Sequence, residues 1–449
     1  MWLTPGLRRQ IVEPAWARWS GTPLLRAWRE LEETQFLPAA VLREWQEERL
    51  RALISAACRD TPFYARRIAE AGVTPDEIRT VDDLRRLPII TKHEIRTRVS
   101  ELRSRAVHAS SLLEFRTGGS TGTPLVLFVT EDVSEQRNAC ARRSNRWTGW
   151  EVGEPVGAVW GNPKLPQTMK ERLRWELLEP VIYLDTMAVT PQSVERFARE
   201  WQRVRPTLLF GHSHSLYLLA RILADLGIEA IRPKGVISTS MMLLAPERNI
   251  MENVFGVRVF DRYGCEEVDL IGCECDRHTG MHINIDQLVV EFVREDGSPA
   301  NAGETAYVVV TDLLNHAMPL IRYRIEDLAE RLDERCACGR GLPLMSRVAG
   351  RVADFLVRHD GARVAGVSLI ENSLTRFPGI EQMQLVQEEL GRILVRVVPA
   401  SDYAEATRQA LLDYFATTFP GARIELELVE RIAREPNGKY RFAICSIGE

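Results

Sequence analysis

Apolar residues recur at helical spacing along Leu42–Cys58, with glutamates and arginines between them. That is the pattern of a helix with one face turned to a core. Residues 1–105 as a whole read as helical, interrupted by Thr61-Pro-Phe-Tyr64. Thr74-Pro-Asp-Glu and Thr80-Val-Asp-Asp each set a threonine three residues ahead of an acid, as helix starts do. From 106 to about 350 the pattern alternates. Short β-rich runs at Val156–Trp160, Leu208–Phe210, Gly235–Ser238, Arg258–Asp261, Leu288–Phe292 and Thr305–Thr311 alternate with helical stretches at Gln192–Val204, Ser215–Leu226 and Ala245–Phe255. This predicts an α/β sheet with covering helices. After Gly350 a compact tail reads strand, helix, strand–turn–strand, helix, strand: Phe355–Arg358, Val367–Phe377, Gln382–Gln387 with Ile393–Val398, Tyr403–Phe419 and Ile424–Leu428. Its length suits a small independent α+β domain. The expected division is a helical segment 1–105 packed on the main domain, an α/β core 106–350, and a tail domain 351–449.

Composition narrows the classes of function. The 449 residues allow two or three domains with a large core. A net charge of −4 argues against a nucleic-acid binder driven by phosphate attraction. No apolar run has the length of a membrane helix, and Met1–Ile11 has two arginines but no apolar core, so no signal peptide is expected. A cytoplasmic protein is the expectation. Of the eight cysteines, Cys58, Cys140 and Cys445 are scattered, whereas Cys265, Cys273, Cys275, Cys336 and Cys338 cluster. Without a secretory signal a disulfide framework is the weaker reading.

Four segments carry candidate chemistry. Phe115-Arg-Thr-Gly-Gly-Ser-Thr-Gly-Thr-Pro-Leu125 joins two β-type runs, Leu112–Phe115 and Leu125–Val129. Small residues let backbone amides approach a phosphate, and the hydroxyls of Thr117, Ser120, Thr121 and Thr123 add donors. The alternative is a glycine-rich turn without a ligand. It is not a Walker loop, since the lysine is missing. In Phe260-Asp-Arg-Tyr-Gly-Cys-Glu-Glu267, Tyr263 and Gly264 can receive a flat base and the acids can hold Mg²⁺; a strand end with a solvated acidic pair is the alternative. In Met318-Pro-Leu-Ile-Arg-Tyr-Arg-Ile-Glu-Asp327, Arg322 and Arg324 are expected on one side of a strand and Tyr323 on the other. Asp327 can accept both hydroxyls of a ribose, or the segment is a salt-bridge ladder. Arg434-Glu-Pro-Asn-Gly-Lys439 is a turn that presents Lys439. It could neutralise charge in a transition state or be a plain hairpin corner.

In this order, these segments resemble the adenylate-forming superfamily. Thr117–Pro124 and Met318–Arg324 resemble the phenylacetate–CoA ligase family most closely, as do Thr61-Pro-Phe-Tyr64 and Leu87-Pro-Ile-Ile-Thr-Lys92. The resemblance implies a multi-layer α/β domain with a mobile C-terminal domain. It implies ATP-dependent activation of a carboxylic acid to acyl-AMP with pyrophosphate release, then transfer to the thiol of CoA. By resemblance, Thr117, Gly118, Gly119, Ser120, Thr121, Gly122 and Thr123 would cradle the β- and γ-phosphates. Tyr263 with Gly264 would meet adenine, Glu267 would hold Mg²⁺ and Asp327 the ribose. Arg324 or Arg351 would assist phosphate or ribose, and Lys439 would serve adenylation. Three departures bear on the second half-reaction: Glu266 stands where the family has Ser or Thr, Ala353 where the hinge has Asp, and Gly361-Ala-Arg363 where a glycine-rich turn lines the CoA tunnel. They keep open an amide synthetase or carrier-protein ligase, with an amine or carrier thiol as acceptor. A non-catalytic nucleotide-binding protein is the rival from another class. A homodimer is compatible with either.

Cys275 and His278, with Cys336 and Cys338, supply four ligands suited to a tetrahedral, structural Zn²⁺, and Cys273 competes with His278 for the fourth place. Free buried thiols are the alternative. His282 is expected to support a strand or the active-site wall. An aromatic or apolar acid would meet Trp160-Gly-Asn162, Gly211-His-Ser-His-Ser215 and Ser238-Thr-Ser-Met-Met242, with Trp160, His212, Ser238 and Met241 lining the pocket.

Overall fold

The computed structural model describes residues 3–116, 125–161, 168–178, 180–351, 355–433 and 441–447. The predicted amphipathic run is the helix Ala39–Asp60, which buries Leu42, Gln46, Leu50, Leu53, Ile54 and Ala57 on one face. Pro62 begins the next helix, Pro62–Glu70, because its fixed φ suits a first helical position. Tyr64 is buried and its hydroxyl joins two backbone groups of the chain far downstream. It donates to Pro319 O (3.1 Å) and accepts from Ile321 N (2.9 Å). The helical arm is thereby fixed to the segment that carries Tyr323 and Arg324. Thr74 heads a short helical turn with a capping box closed by Glu77, as its spacing predicts.

A nine-stranded sheet forms the centre. Five strands are parallel neighbours in the spatial order Val181–Leu184, Val156–Val159, Leu208–His212, Gly235–Thr239, Val259–Cys265. Asp269–Glu274, Met281–Ile283, Leu344–Met345 and Arg331–Leu332 then continue antiparallel. The order places a topological switch between Val156–Val159 and Leu208–His212, since the chain leaves these neighbours in opposite directions. In open α/β sheets ligands bind in the crevice outside such a point. One face packs a cluster with Leu209, Val236 and Val259; the other joins a larger cluster with Leu208, Ile237 and Phe260. The helix Glu131–Trp147 contributes Trp147 to the larger cluster.

A second, antiparallel sheet runs Leu288–Val293, Ala306–Asp312, Tyr323–Ala329, Gly350–Arg351. The tail carries a four-stranded sheet, Arg423–Leu428, Arg392–Pro399, Ile380–Glu389 and Ala443–Cys445, with helices Gly366–Arg376 and Glu405–Thr418. Its core includes Ile370, Leu385, Val395, Leu411 and Phe415, and it takes Leu244 from the larger domain. The sequence pattern misses the last strand, Ala443–Cys445, which is too short for an alternation to be read.

Candidate functional site

Tyr263 and Asp327 lie on different sheets and meet. The strand Val259–Cys265 directs Tyr263 so that its hydroxyl donates to Asp327 Oδ2 at 2.8 Å, with both residues buried. Arg351 stands opposite Asp327 in the strand register. Glu267 lies just beyond the strand Val259–Cys265, after Glu266, and Tyr323 donates its hydroxyl to Glu267 Oε1 at 3.0 Å. Glu267 is 7% exposed and Tyr323 is fully buried. Burial, followed by the charge of Glu267, holds the Tyr323 phenol well above its usual value, so it stays a donor. A carboxylate with one oxygen fixed by a phenol keeps the other for a hard cation.

Asp261 sits one alternation before Tyr263. Burial first, then the neighbouring Glu274, pushes its carboxyl up to about 7. Cys265 also lies here, and burial raises its thiol far out of the nucleophilic range.

A cation enters from the helical arm. Lys92 Nζ is 3.9 Å from Glu267 Oε1. The arm is held in register by Ile90, which donates from its N to Arg322 O (2.9 Å) and accepts from Arg324 N (3.0 Å). Thr91 caps the helix Lys92–Thr97 with Glu94 in a reciprocal box. Lys92 was legible only as part of a family phrase; no local spacing links it to a carboxylate so far along the chain.

The expectation for Arg322 and Arg324 is corrected. Arg322 precedes the strand with a left-handed backbone (φ 56°), so the two are not strand neighbours on one side. Its buried guanidinium pairs with Glu291 through two 3.0 Å bonds and donates to Leu87 O at 2.5 Å. It fastens the arm. Arg324 pairs with Glu326 at 2.9 Å and lies 5.0 Å from the centre of the Tyr307 ring.

Thr117, Gly118, Gly119, Ser120, Thr121, Gly122, Thr123, Asn162, Ala353 and Lys439 lie outside the described residues, as does the side chain of Arg351. The strands flanking the first of these segments, Leu112–Arg116 and Val126–Thr130, form an antiparallel pair.

The candidate metal-ligand set differs by one residue from the expected one. Cys275, Cys336, Cys338 and His282 bring their donor atoms within 4.8 Å of one another. His278 does not join them: its Nδ1 is 3.0 Å from Glu274 Oε2 and its ring packs against Phe260 at 4.7 Å. Strand alternation is the reason. Cys273 and Cys275 point to one side of their strand and Glu274 to the other, and His278, after a turn with φ 51°, follows Glu274. His282 comes from the next strand. Its Nδ1 lies 3.1 Å from Leu342 O, which leaves Nε2 3.2 Å from Cys338 Sγ. Burial pulls its imidazole down to about 4, so it is neutral and able to ligate. Cys273 is buried and outside the group.

The expected acyl pocket divides between two places. Trp160 contacts His212 with ring centres 4.3 Å apart. Ser238 instead donates to Ser213 Oγ (2.6 Å), and Ser213 donates to Met241 O (2.8 Å). Met241 packs against the tail-domain core. Two residues that the sequence reading did not single out, Phe210 and Arg262, complete the group around Trp160.

Residues 356–446 match the CapK C-terminal domain family. The chain is 30% identical over 349 residues to a phenylacetate–coenzyme A ligase of Thermus thermophilus, covering 72% of this chain and 74% of that protein. It is 28% identical over 352 residues to a phenylacetate–coenzyme A ligase of Escherichia coli, covering 74% and 75%. Among solved structures, it resembles a 2-hydroxyisobutyryl-CoA ligase in the postadenylation state in complex with an acyl-AMP. The TM-score is 0.74, the identity 19%, and the coverage 92% of this chain and 91% of that one. The folds are alike over nearly their whole length.

Proposed function

This chain belongs to the phenylacetate–coenzyme A ligase family, and from that membership we propose that it activates a carboxylic acid with ATP and passes the acyl group to coenzyme A. A carboxylate oxygen attacks the α-phosphorus of ATP, the bond to the β-phosphate oxygen breaks, and pyrophosphate leaves. The CoA sulfur then attacks the acyl carbon and AMP leaves. Both steps ask for positioning and charge stabilisation rather than a protein nucleophile.

The observation that carries this reading is the convergence of Tyr263, Asp327, Tyr323 and Glu267, from two sheets, at one place. Asp327 would accept the ribose hydroxyls beside Tyr263, whose ring and Gly264 would meet adenine. Glu267, with one oxygen fixed by Tyr323, suits Mg²⁺, which when bound would neutralise phosphate charge. Thr117–Thr123 would hold the phosphates, and Arg324 or Arg351 would assist. Lys439 would stabilise charge during adenylation, with residues 351–449 moving as a unit between the half-reactions. Cys275, His282, Cys336 and Cys338 form a soft donor set without an open position for water, which fits a structural Zn²⁺. No helix among the described residues is long and apolar enough to cross a membrane.

Pyrophosphate release with a panel of carboxylic acids tests the reading, with CoA and then amines added to identify the acceptor. ATP binding with no pyrophosphate from any acid would refute it. Thioester formation would identify CoA, and amide formation would move the chain to the amide-synthetase branch.

A further inference from the structure

The crevice at the topological switch carries a charge that the proposed chemistry does not use. Trp160 ends Val156–Val159 and stacks on Phe210 of Leu208–His212, with centres 5.1 Å apart and planes at 19°. His212 closes on Trp160 from the same strand end. Over the Phe210 ring, 4.7 Å from its centre, lies the guanidinium of Arg262. Trp160, Phe210 and Arg262 are all half-buried, so the group lines a crevice rather than a sealed core.

The direct contacts of the Arg262 guanidinium are neutral. Its Nη1 donates to Asn145 Oδ1 at 2.9 Å, and the aromatic face covers one side. Among the described residues no carboxylate hydrogen-bonds to it; Asp269 acts on it only through its charge at longer range. Burial presses the guanidinium below its ordinary value and outweighs the opposing charge of Asp269. Buried charges are normally paired. A planar fork with unused donors beside two flat rings suits an anionic group on a flat molecule. Arg262 and Tyr263 are consecutive on the strand Val259–Cys265, so the aromatic group and the proposed nucleotide site share one strand end.

Resting on the ligase reading, we propose that the acid substrate is an aromatic acid bearing a second anionic group: its ring lies against Trp160 and Phe210, and Arg262 holds the group remote from the activated carboxylate. Such a site discriminates strongly, because an acid lacking the second group leaves the guanidinium unpaired. Phenylacetate and 4-carboxyphenylacetate are the probes. Binding is read by calorimetry with a non-hydrolysable ATP analogue present, and turnover by pyrophosphate release. The full-length protein should prefer the dianion at least about tenfold, and Arg262→Met should lower that ratio about tenfold or more. Arg262→Lys, which keeps the charge, should retain part of it. Preference of the unaltered protein for phenylacetate would overturn the inference, whether or not any variant folds. An equal loss for both acids in Arg262→Met would also overturn it, placing the arginine at the reacting carboxylate or in the fold. Dianion preference without pyrophosphate from any acid would support the site and refute the ligase reading. Pyrophosphate release without the preference would refute this inference alone.

Discussion

Replacing Tyr323 by phenylalanine removes one oxygen and leaves the ring in place. That oxygen donates to Glu267 Oε1 at 3.0 Å, between a fully buried phenol and a carboxylate that is 7% exposed. A hydrogen bond to a charged group is worth about 1.5–3 kcal/mol. If all of it orients Glu267 for the metal, the loss corresponds to roughly 10- to 150-fold in affinity or rate. Lys92 is 3.9 Å from the same oxygen and its side chain is 32% exposed, so it compensates in part. The expected result is therefore at the lower end: about tenfold more Mg²⁺ for half-maximal pyrophosphate release. Acid KM should hold steady, because the phenol points to Glu267 and not to the Trp160 crevice. Mn²⁺ binding followed by spin resonance should weaken in parallel, a readout that a packing defect alone would not move. An unchanged Mg²⁺ midpoint in a folded Tyr323→Phe protein would refute the argument that this hydroxyl positions the carboxylate.

His282→Ala should remove zinc and lower the melting temperature, whereas His278→Ala should keep the metal, both read by elemental analysis and thermal scans. Equal zinc loss in the two variants would put the ligand set in error. Asp261, raised to about 7 by burial and by Glu274, keeps its proton in the folded chain after the unfolded chain has released it. Its contribution to stability therefore falls as pH rises between about 4 and about 7. Urea unfolding of Asp261→Asn should show a flatter dependence across that window, and parallel curves would contradict the assignment. Lys439→Ala should lower acyl-adenylate formation by orders of magnitude, in keeping with loss of a transition-state charge partner. Undiminished adenylation would reassign the lysine.

Elements whose signal is local were legible in the chain. The helix Ala245–Phe255 has the bounds that its periodicity predicts, and the parallel strands follow from short β-rich runs between helical stretches. The residues of the proposed nucleotide site, Tyr263, Glu267 and Asp327, could be picked out as well, because they stand in ordered phrases. Contacts between distant segments were not. Lys92 reaches Glu267 only because Tyr64, Ile90 and Arg322 fasten the helical arm to the second sheet. Arg262 shows its neutral hydrogen-bond partner and its aromatic neighbour only when strand order puts it beside Asn145 and Phe210. The fourth candidate metal donor turned on the same distinction. Spacing along the chain favoured His278, but side chains alternate across a strand, and the partner strand delivers His282 instead. Periodicity and turn chemistry act over a few residues and can be read from the letters. Which side chains share a space depends on pairing, register and direction across the sheet, and those arise only once the chain has folded.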